Sequence, residues 1–205
     1  SHDRESFSLR VLVVAGVLGG GLRQLFRYPP DMVDYAELNP LVIEAVRAFP
    51  TELTSQELED GRLQVHSVDG RLLLNQMVQR QENAVPRYDI VLVNLSYPST
   101  LEINRLYTEE FLQLVRQVLD EQGLCVFSLP GSLTYVGPAM RDLHLMLESG
   151  LQAVFPSVRP IPGETTLWLA SPSLPLASVT LGDLSTTWKA RSLSTSSITD
   201  KLLEV

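Results

Sequence analysis

Cysteine is nearly absent from this sequence: Cys125 is the only one in 205 residues, which excludes a disulfide framework and makes a reducing compartment the expectation. Histidine is almost as scarce. His66 and His144 lie far apart without further ligands at metal-binding spacing, so a metal site has no support. Basic residues are in deficit, with 16 Lys and Arg against 24 Asp and Glu and a net charge of −8. Nucleic-acid binding relies on clustered Lys and Arg to release counterions, so that partner is not expected. The acidity suits either a solvated surface or a cationic substrate. Long apolar runs are missing too: nothing reaches the roughly 18 consecutive apolar residues of a membrane span, and the start, SHDRESFSLR, has no apolar signal core. The first strand follows almost at once, so the natural protein is expected to continue upstream.

What is present is an alternation of apolar strands and amphipathic helices in a chain that is 44% hydrophobic and 20% charged, as expected of one globular domain with a sizeable core. Residues 10–15, RVLVVA, form a continuous run of the kind buried on both faces of a sheet. A helix follows the glycines from about Gly20 to Tyr28. MVDYAEL is a second strand ending at Glu37, after which Asn39 and Pro40 supply an N-cap and a first-turn proline, with Val42, Ala45, Val46 and Phe49 as the inner stripe. A Glu-rich loop leads to RLQVHSVDG, a third strand ending near Asp69, and LLLNQMVQRQ continues as a helix. YDIVLVN ends at Asn94. Phe111, Leu114, Val115 and Val118 recur at helical spacing, and Gly123 is expected to stop that helix. GLCVFSL is the fifth strand, Val136 to Ser149 a helix, and LQAVFPSVRP with TTLWLAS a final pair turning at IPGE. Repeated strand-helix units imply an α/β three-layer sandwich with a seven-stranded, mostly parallel sheet and one antiparallel strand. Residues 1–171 form the body. From Pro172 the composition shifts to Ser, Thr, Leu and Pro, so 172–205 reads as a tail whose Trp188, Ile198, Leu202 and Leu203 dock on the body.

In such sheets a ligand lies beyond the carboxyl ends of the strands. Gly16, Gly19, Gly20 and Gly21 after the first strand permit close backbone approach, or form a tight turn with no ligand. Glu37 closes the second strand about twenty residues later, the distance at which a carboxylate accepts both hydroxyls of a ribose. Asp69, followed by Gly70, is positioned either to accept from an adenine amino group or to cap the next helix. Asn94 and Tyr97 sit at the fourth strand's tip, in VNLSYPST.

VLVVAGVLGGGLRQLFRYP, VDYAELNPLVIEAVRAF, RLQVHSVDGRLLL, YDIVLVN and NRLYTEEFLQLVRQVLDEQG together resemble the spermidine and spermine synthase family, aminopropyltransferases on the class I methyltransferase (Rossmann-like) fold, in order from Arg10 to Ser171. PSTLEINRLYTEEF is most similar to the bacterial branch fused to membrane-spanning helices, which implies a cytoplasmic domain of a membrane protein. The resemblance implies a nucleoside ligand, decarboxylated S-adenosylmethionine or S-adenosylmethionine, with methylthioadenosine as product and a polyamine as acceptor. Glu37 matches the ribose-binding acid and Asp69 the adenine-contacting acid, with Gly16, Gly19, Gly20 and Gly70 around the ligand. A homodimer is a further expectation.

The sequence departs from the family at its acids. The glycine loop GGGDGG of the family stands here as AGVLGG, with Leu18 at the acid's position, and the two acids of the fourth-strand motif are replaced by Asn94 and Tyr97. Amine attack on a carbon beside a sulfonium needs a neutral amine, whereas a free alkylammonium has a pKa near 10, so a carboxylate base and an anionic pocket lower the barrier. Weak, altered or lost aminopropyl transfer follows, and carboxylates restored at 94, 97 and 18 are expected to raise it. Two alternatives stay open: a non-catalytic nucleoside-binding or scaffolding domain, and a SAM-dependent amino methyltransferase, in which Asn94 and Tyr97 keep the ends of an Asn-Pro-Pro-aromatic spacing. Without catalysis, Asn94 is a strand-end cap and Tyr97 a ring packed over the following loop.

Overall fold

The computed structural model describes residues 8–28, 30–79, 87–94 and 100–190. Their order is β1 (Arg10–Val14), α1 (Gly21–Phe26), β2 (Met32–Ala36), α2 (Pro40–Ala48), α3 (Glu52–Leu58), β3 (Leu63–His66), α4 (Gly70–Gln79), β4 (Tyr88–Asn94), α5 (Leu101–Asn104), a 3-10 turn (Arg105–Tyr107), α6 (Glu109–Val118), β5 (Leu119–Pro130), α7 (Pro138–Val154), β6 (Ser157–Ile161), β7 (Thr165–Ser171), a second 3-10 turn (Leu176–Ser178) and α8 (Leu181–Ala190). The seven strands form one sheet in the order β3-β2-β1-β4-β5-β7-β6. β7 alone runs antiparallel to its neighbours, as the sequence pattern implied.

Central β1 alternates its side chains between two cores, which is why its sequence is apolar at every position after Arg10. Leu12 and Val14 join Val91 and Val93 under α4, α6 and α7, while Val11 and Val13 join Val33 and Tyr35 under Leu22 of α1 and Ile43 of α2. One polar group interrupts the first core: buried Asp34 accepts the Tyr88 hydroxyl at 2.8 Å and meets His66 Nε2 at 2.6 Å. Burial first, then the charge of Asp34, pushes the Tyr88 phenol far above its ordinary pKa.

Several sequence expectations need correction. The Glu-rich loop contains α3, whose N-cap Thr51 exchanges hydrogen bonds with Thr54 in a capping box. In α2 the inner residue is Ile43, whereas Val42 is partly exposed and Phe49 is 81% exposed; Phe49 is the C-cap and has already left helical geometry. Gly123 does not end α6, which stops at Val118, but lies inside β5, where a Cβ would approach the Tyr88 carbonyl oxygen to 2.9 Å. β3 ends at His66, three residues before Asp69, and LQAV closes α7 rather than opening β6. Beyond β7, Leu176 is buried and α8 buries no residue; Trp188 is half-buried, and Ile198, Leu202 and Leu203 lie outside the described residues. β6, at one edge of the sheet, contains Pro160, and the opposite edge is the four-residue β3. Among the described residues no helix is long and apolar enough to cross a membrane.

Candidate functional site

At the carboxyl ends of β1, β2 and β4 lies a cleft of about 430 Å³, walled by Ala15 and Gly16, by Glu37 and Asn39, by Gly70 and by Asn94, with Ile103 and Leu106 facing them. The chain can turn out of β1 here because Ala15 and Gly16 adopt φ of 61° and 69°. Gly16 is required twice over: by that left-handed conformation, and because a Cβ would stand 2.6 Å from the Asn94 carbonyl oxygen. A Cβ on Gly70 would meet Val14 Cγ1 at 2.6 Å, so α4 begins close against the tip of β1 only as glycine.

Glu37 is the charged side chain of this wall, and it is 7% exposed. Two donors hold it: the Tyr35 hydroxyl reaches Oε2 at 2.5 Å, and the Asn39 backbone N–H reaches Oε1 at 3.1 Å. Burial, and then the hydrogen bond and charge of Glu37, drive the Tyr35 phenol far above its ordinary pKa, so it remains a donor. Each carboxylate oxygen keeps lone-pair capacity toward the cleft, the arrangement that a vicinal diol needs. The cap expected at Asn39 forms as well, its side chain accepting from Leu41 N at 3.0 Å.

Asn94 reaches the same cleft but acts on the protein. Its Nδ2 donates to the Gly16 carbonyl at 2.7 Å and pins the glycine turn to the tip of β4. A carbonyl oxygen only accepts, so the amide nitrogen must face it. Tyr97 lies outside the described residues. Asp69 sits beside the cleft with its carboxylate engaged, one oxygen capping α4 through Arg71 N at 2.7 Å and the other paired with Arg105 of the 3-10 turn. Gly16, Glu37, Gly70 and Asn94 thus share one wall, and Asp69 adjoins it in its capping geometry.

Gly19 and Gly20 face elsewhere. With φ of 97° and 130°, they turn their amides to the carboxylate of Glu57, a fully buried residue of α3, each at 2.8 Å; Arg23 N joins them at 3.0 Å. Sequence reading missed Glu57 together with its helix. The available signal was Pro50-Thr51 with a second Thr three residues on, a helix start that places Thr54 and Glu57 on one face. Arg105 carried no local signal, since its partner is distant in sequence. Among the described residues no group of three or more His, Cys, Asp or Glu could hold a metal.

Comparison with known proteins bears on the family and the fold. Residues 6–172 match the family model of the spermine/spermidine synthase domain. The chain is 30% identical over 160 residues to a polyamine aminopropyltransferase of Nitrosomonas europaea, covering 78% of this chain and 46% of that protein. It is 34% identical over 117 residues to one of Korarchaeum cryptofilum, covering 57% of this chain and 34% of that protein. The chain therefore spans less than half the length of these two relatives. Among solved structures, spermidine synthase in complex with the transition-state analogue AdoDATO superposes with a TM-score of 0.67 at 21% identity, over 82% of this chain and 57% of that one. Human methyltransferase-like protein 13 in complex with SAH gives 0.68 at 21% identity, over 95% and 88%. At such identities these two likenesses speak for the fold, a Rossmann-like sheet of the class I methyltransferase type. The family model spans β1 through β7 and every wall of the cleft, and by that match the chain belongs to the spermine/spermidine synthase family.

Proposed function

We propose that the cleft binds an adenine nucleoside with a 5′ thioether or sulfonium, namely decarboxylated S-adenosylmethionine or methylthioadenosine, with S-adenosylmethionine as the alternative. In this reading aminopropyl transfer to a polyamine is weak, altered or lost. The observation that carries it is Glu37, a buried carboxylate braced by Tyr35 and Asn39 beside a glycine turn at the next strand's tip. The ribose diol sits on Glu37, the base extends toward Gly70, and the 5′ side runs toward Gly16 and Asn94. Asp69 reaches the adenine amino group only by leaving Arg105 or by sharing it.

The transfer step lacks a base at Asn94. A protonated amine must lose its proton before attack, and general base catalysis contributes about 100- to 10,000-fold. The Asn94 amide cannot take that proton, and its nitrogen is already committed to Gly16. This commitment favours the second reading, a nucleoside-binding or scaffolding domain without catalysis. It weighs less on a methyltransferase role, because the amide oxygen could still orient a weakly basic nitrogen.

PSTLEINRLYTEEF supports placing the domain on the membrane-fused branch, as a cytoplasmic module that could pair as a homodimer. A body of 1–171 with a docked tail is supported at the boundary, where Arg159 donates to the Leu176 and Val179 carbonyls and Ser171 Oγ donates to Gly123 O. Calorimetry with methylthioadenosine, S-adenosylmethionine and its decarboxylated form tests the central claim. Binding of at least one is expected, and binding of none refutes it. Assaying methylthioadenosine release with putrescine, cadaverine and spermidine tests the second claim, which turnover of about 1 per second or more would overturn.

A further inference from the structure

Helix α2 turns its most apolar side away from the sheet. Only Ile43 is buried, joining Val13, Val33 and Tyr35 in the second core. On the opposite side of the helix Leu41, Ala45 and Ala48 recur at i, i+4 and i+7 and are all exposed, with Val42 and the C-cap Phe49 along one flank. Leu41 is 66% exposed, more than half of its surface, and Phe49 more still. The other flank holds Glu44 and Arg47, one turn apart, and neither has a hydrogen-bond or ion-pair partner among the described residues. Single exposed leucines are ordinary on a protein surface, whereas a continuous stripe along a helix marks a contact surface.

We propose that α2 is the contact helix of a two-fold homodimer, packed antiparallel against α2 of a second copy. The stripe is self-complementary under that symmetry. An axis passing beside Ala45 sets Glu44 of each copy next to Arg47 of the other on one flank, and Val42 of each next to Phe49 of the other on the opposite flank. Between the flanks Ala45 and Ala48 present only methyl groups, so the helix axes can approach to about 8 Å, the short end of the usual range. Both unpaired charges gain an opposite partner and both bulky side chains leave water, whereas a parallel pair would set like charges together. The apolar residues of 191–205 are another occupant within this sequence, but that segment follows chain held against β6 by Arg159, five strand spacings or roughly 24 Å from β2 beneath α2. Pairing through α2 is independent of what the cleft binds, although Asn39, which caps α2, lines that cleft.

The test is sedimentation equilibrium of the unmodified chain from about 1 μM to about 1 mM. A contact of one helix face is smaller than the roughly 800 Å² per partner of stable complexes, so a reversible dimer with a dissociation constant on the order of 10–100 μM is expected. Glu44→Arg alone and Arg47→Glu alone each set like charges together twice in the dimer and should weaken association about tenfold or more, while the double variant Glu44→Arg/Arg47→Glu should recover it to within about threefold. In a chain of net charge −8, Glu44→Arg would otherwise ease repulsion between copies, so weakening by that variant is specific to pairing with Arg47. Ala45→Cys should form a disulfide with its counterpart on oxidation, whereas Leu145→Cys, exposed on α7 over the opposite face of the sheet, should not; native Cys125 is buried. A chain that stays monomeric up to about 1 mM, whether because 191–205 covers α2 or because the stripe stays bare, overturns the proposal. So does a dimer unmoved by the charge reversals, or equal crosslinking at the two introduced cysteines.

Discussion

Judged by sequence alone, replacing Asn94 with aspartate restores a missing catalytic acid, yet the structure attaches a cost to it. Asn94 Nδ2 donates to the Gly16 carbonyl at 2.7 Å, and an ionised carboxylate in its place sets one acceptor against another. Gly16 is exposed, so water can take the lost donor's place and the loss costs about 0.5–1.5 kcal/mol, the net worth of an ordinary hydrogen bond. For a protein of this size each kcal/mol lowers the melting temperature by roughly 2–4 °C. Since Gly16 also forms the cleft wall, methylthioadenosine affinity should fall with it, by up to about tenfold for each 1.4 kcal/mol spent on the turn. The loss should depend on pH. Only the protonated form of the introduced carboxyl can donate to Gly16, so its folded pKa lies above the unfolded value near 4. Its stabilising contribution is then present at acid pH and lost as pH rises through the folded pKa. Thermal unfolding of Asn94→Asp and the parent at pH 7 and near pH 4 should show a deficit at the first that shrinks at the second. A variant as stable as its parent at pH 7, with unchanged nucleoside affinity and raised aminopropyl transfer, would refute the anchoring argument and restore the view of Asn94 as a vacant catalytic position.

If the ribose sits on Glu37, Glu37→Ala removes a charged acceptor and leaves the buried Tyr35 hydroxyl unpaired; a loss of roughly 1.5–3 kcal/mol makes methylthioadenosine binding at least tenfold weaker by calorimetry, and unchanged affinity in a folded variant rejects the assignment. Gly70→Ala places a methyl 2.6 Å from Val14 Cγ1 and should lower the melting temperature and loosen the cleft together, whereas Gly61→Ala, which meets nothing within 4 Å, should do neither. Burial raises the phenols of Tyr35, Tyr88 and Tyr107 well above the ordinary value of 10.0. Their folded pKa values exceed the unfolded ones, so this stability is complete below pH 10 and is lost as pH climbs past it; in a chain carrying Tyr28→Phe, Tyr97→Phe and Tyr135→Phe, so that only these three phenols report, tyrosinate absorbance should coincide with unfolding followed by circular dichroism, and tyrosinate forming well before unfolding would contradict the burial.

The strands were legible because their signal is local. RVLVVA is apolar on both faces, and the parallel core that buries it demands no less. Glu37 and Gly16 could be placed for the same reason, since a strand's last residue and the turn after it follow from the strand. The stripe of α2 was misread by one position, because Val42 and Ile43 are equally apolar and only packing decides that Ile43 points inward. α3 escaped because the side chains it buries, Thr54 and Glu57, are polar, so hydrophobic periodicity has nothing to register. Gly123 was read as punctuation, although the close pass of the Tyr88 carbonyl is a contact across strands. The commitments of Asn94, Asp69 and Glu57 likewise join residues distant in sequence, and charge or amide type alone names no partner.

The two margins of the sheet differ in how they resist added strands. β6 carries Pro160, which has no N–H to offer, and Arg159 beside it spends its guanidinium on the Leu176 and Val179 carbonyls, so the following segment lies against that margin. β3 at the other margin pairs through only four residues, Leu63 to His66, too short a template for a long ladder. An incoming extended peptide thus finds a missing donor on one side and little length on the other. Among the described residues, edge-to-edge polymerisation of folded molecules is disfavoured by the backbone itself, which directs self-association toward helices and loops rather than a continued sheet.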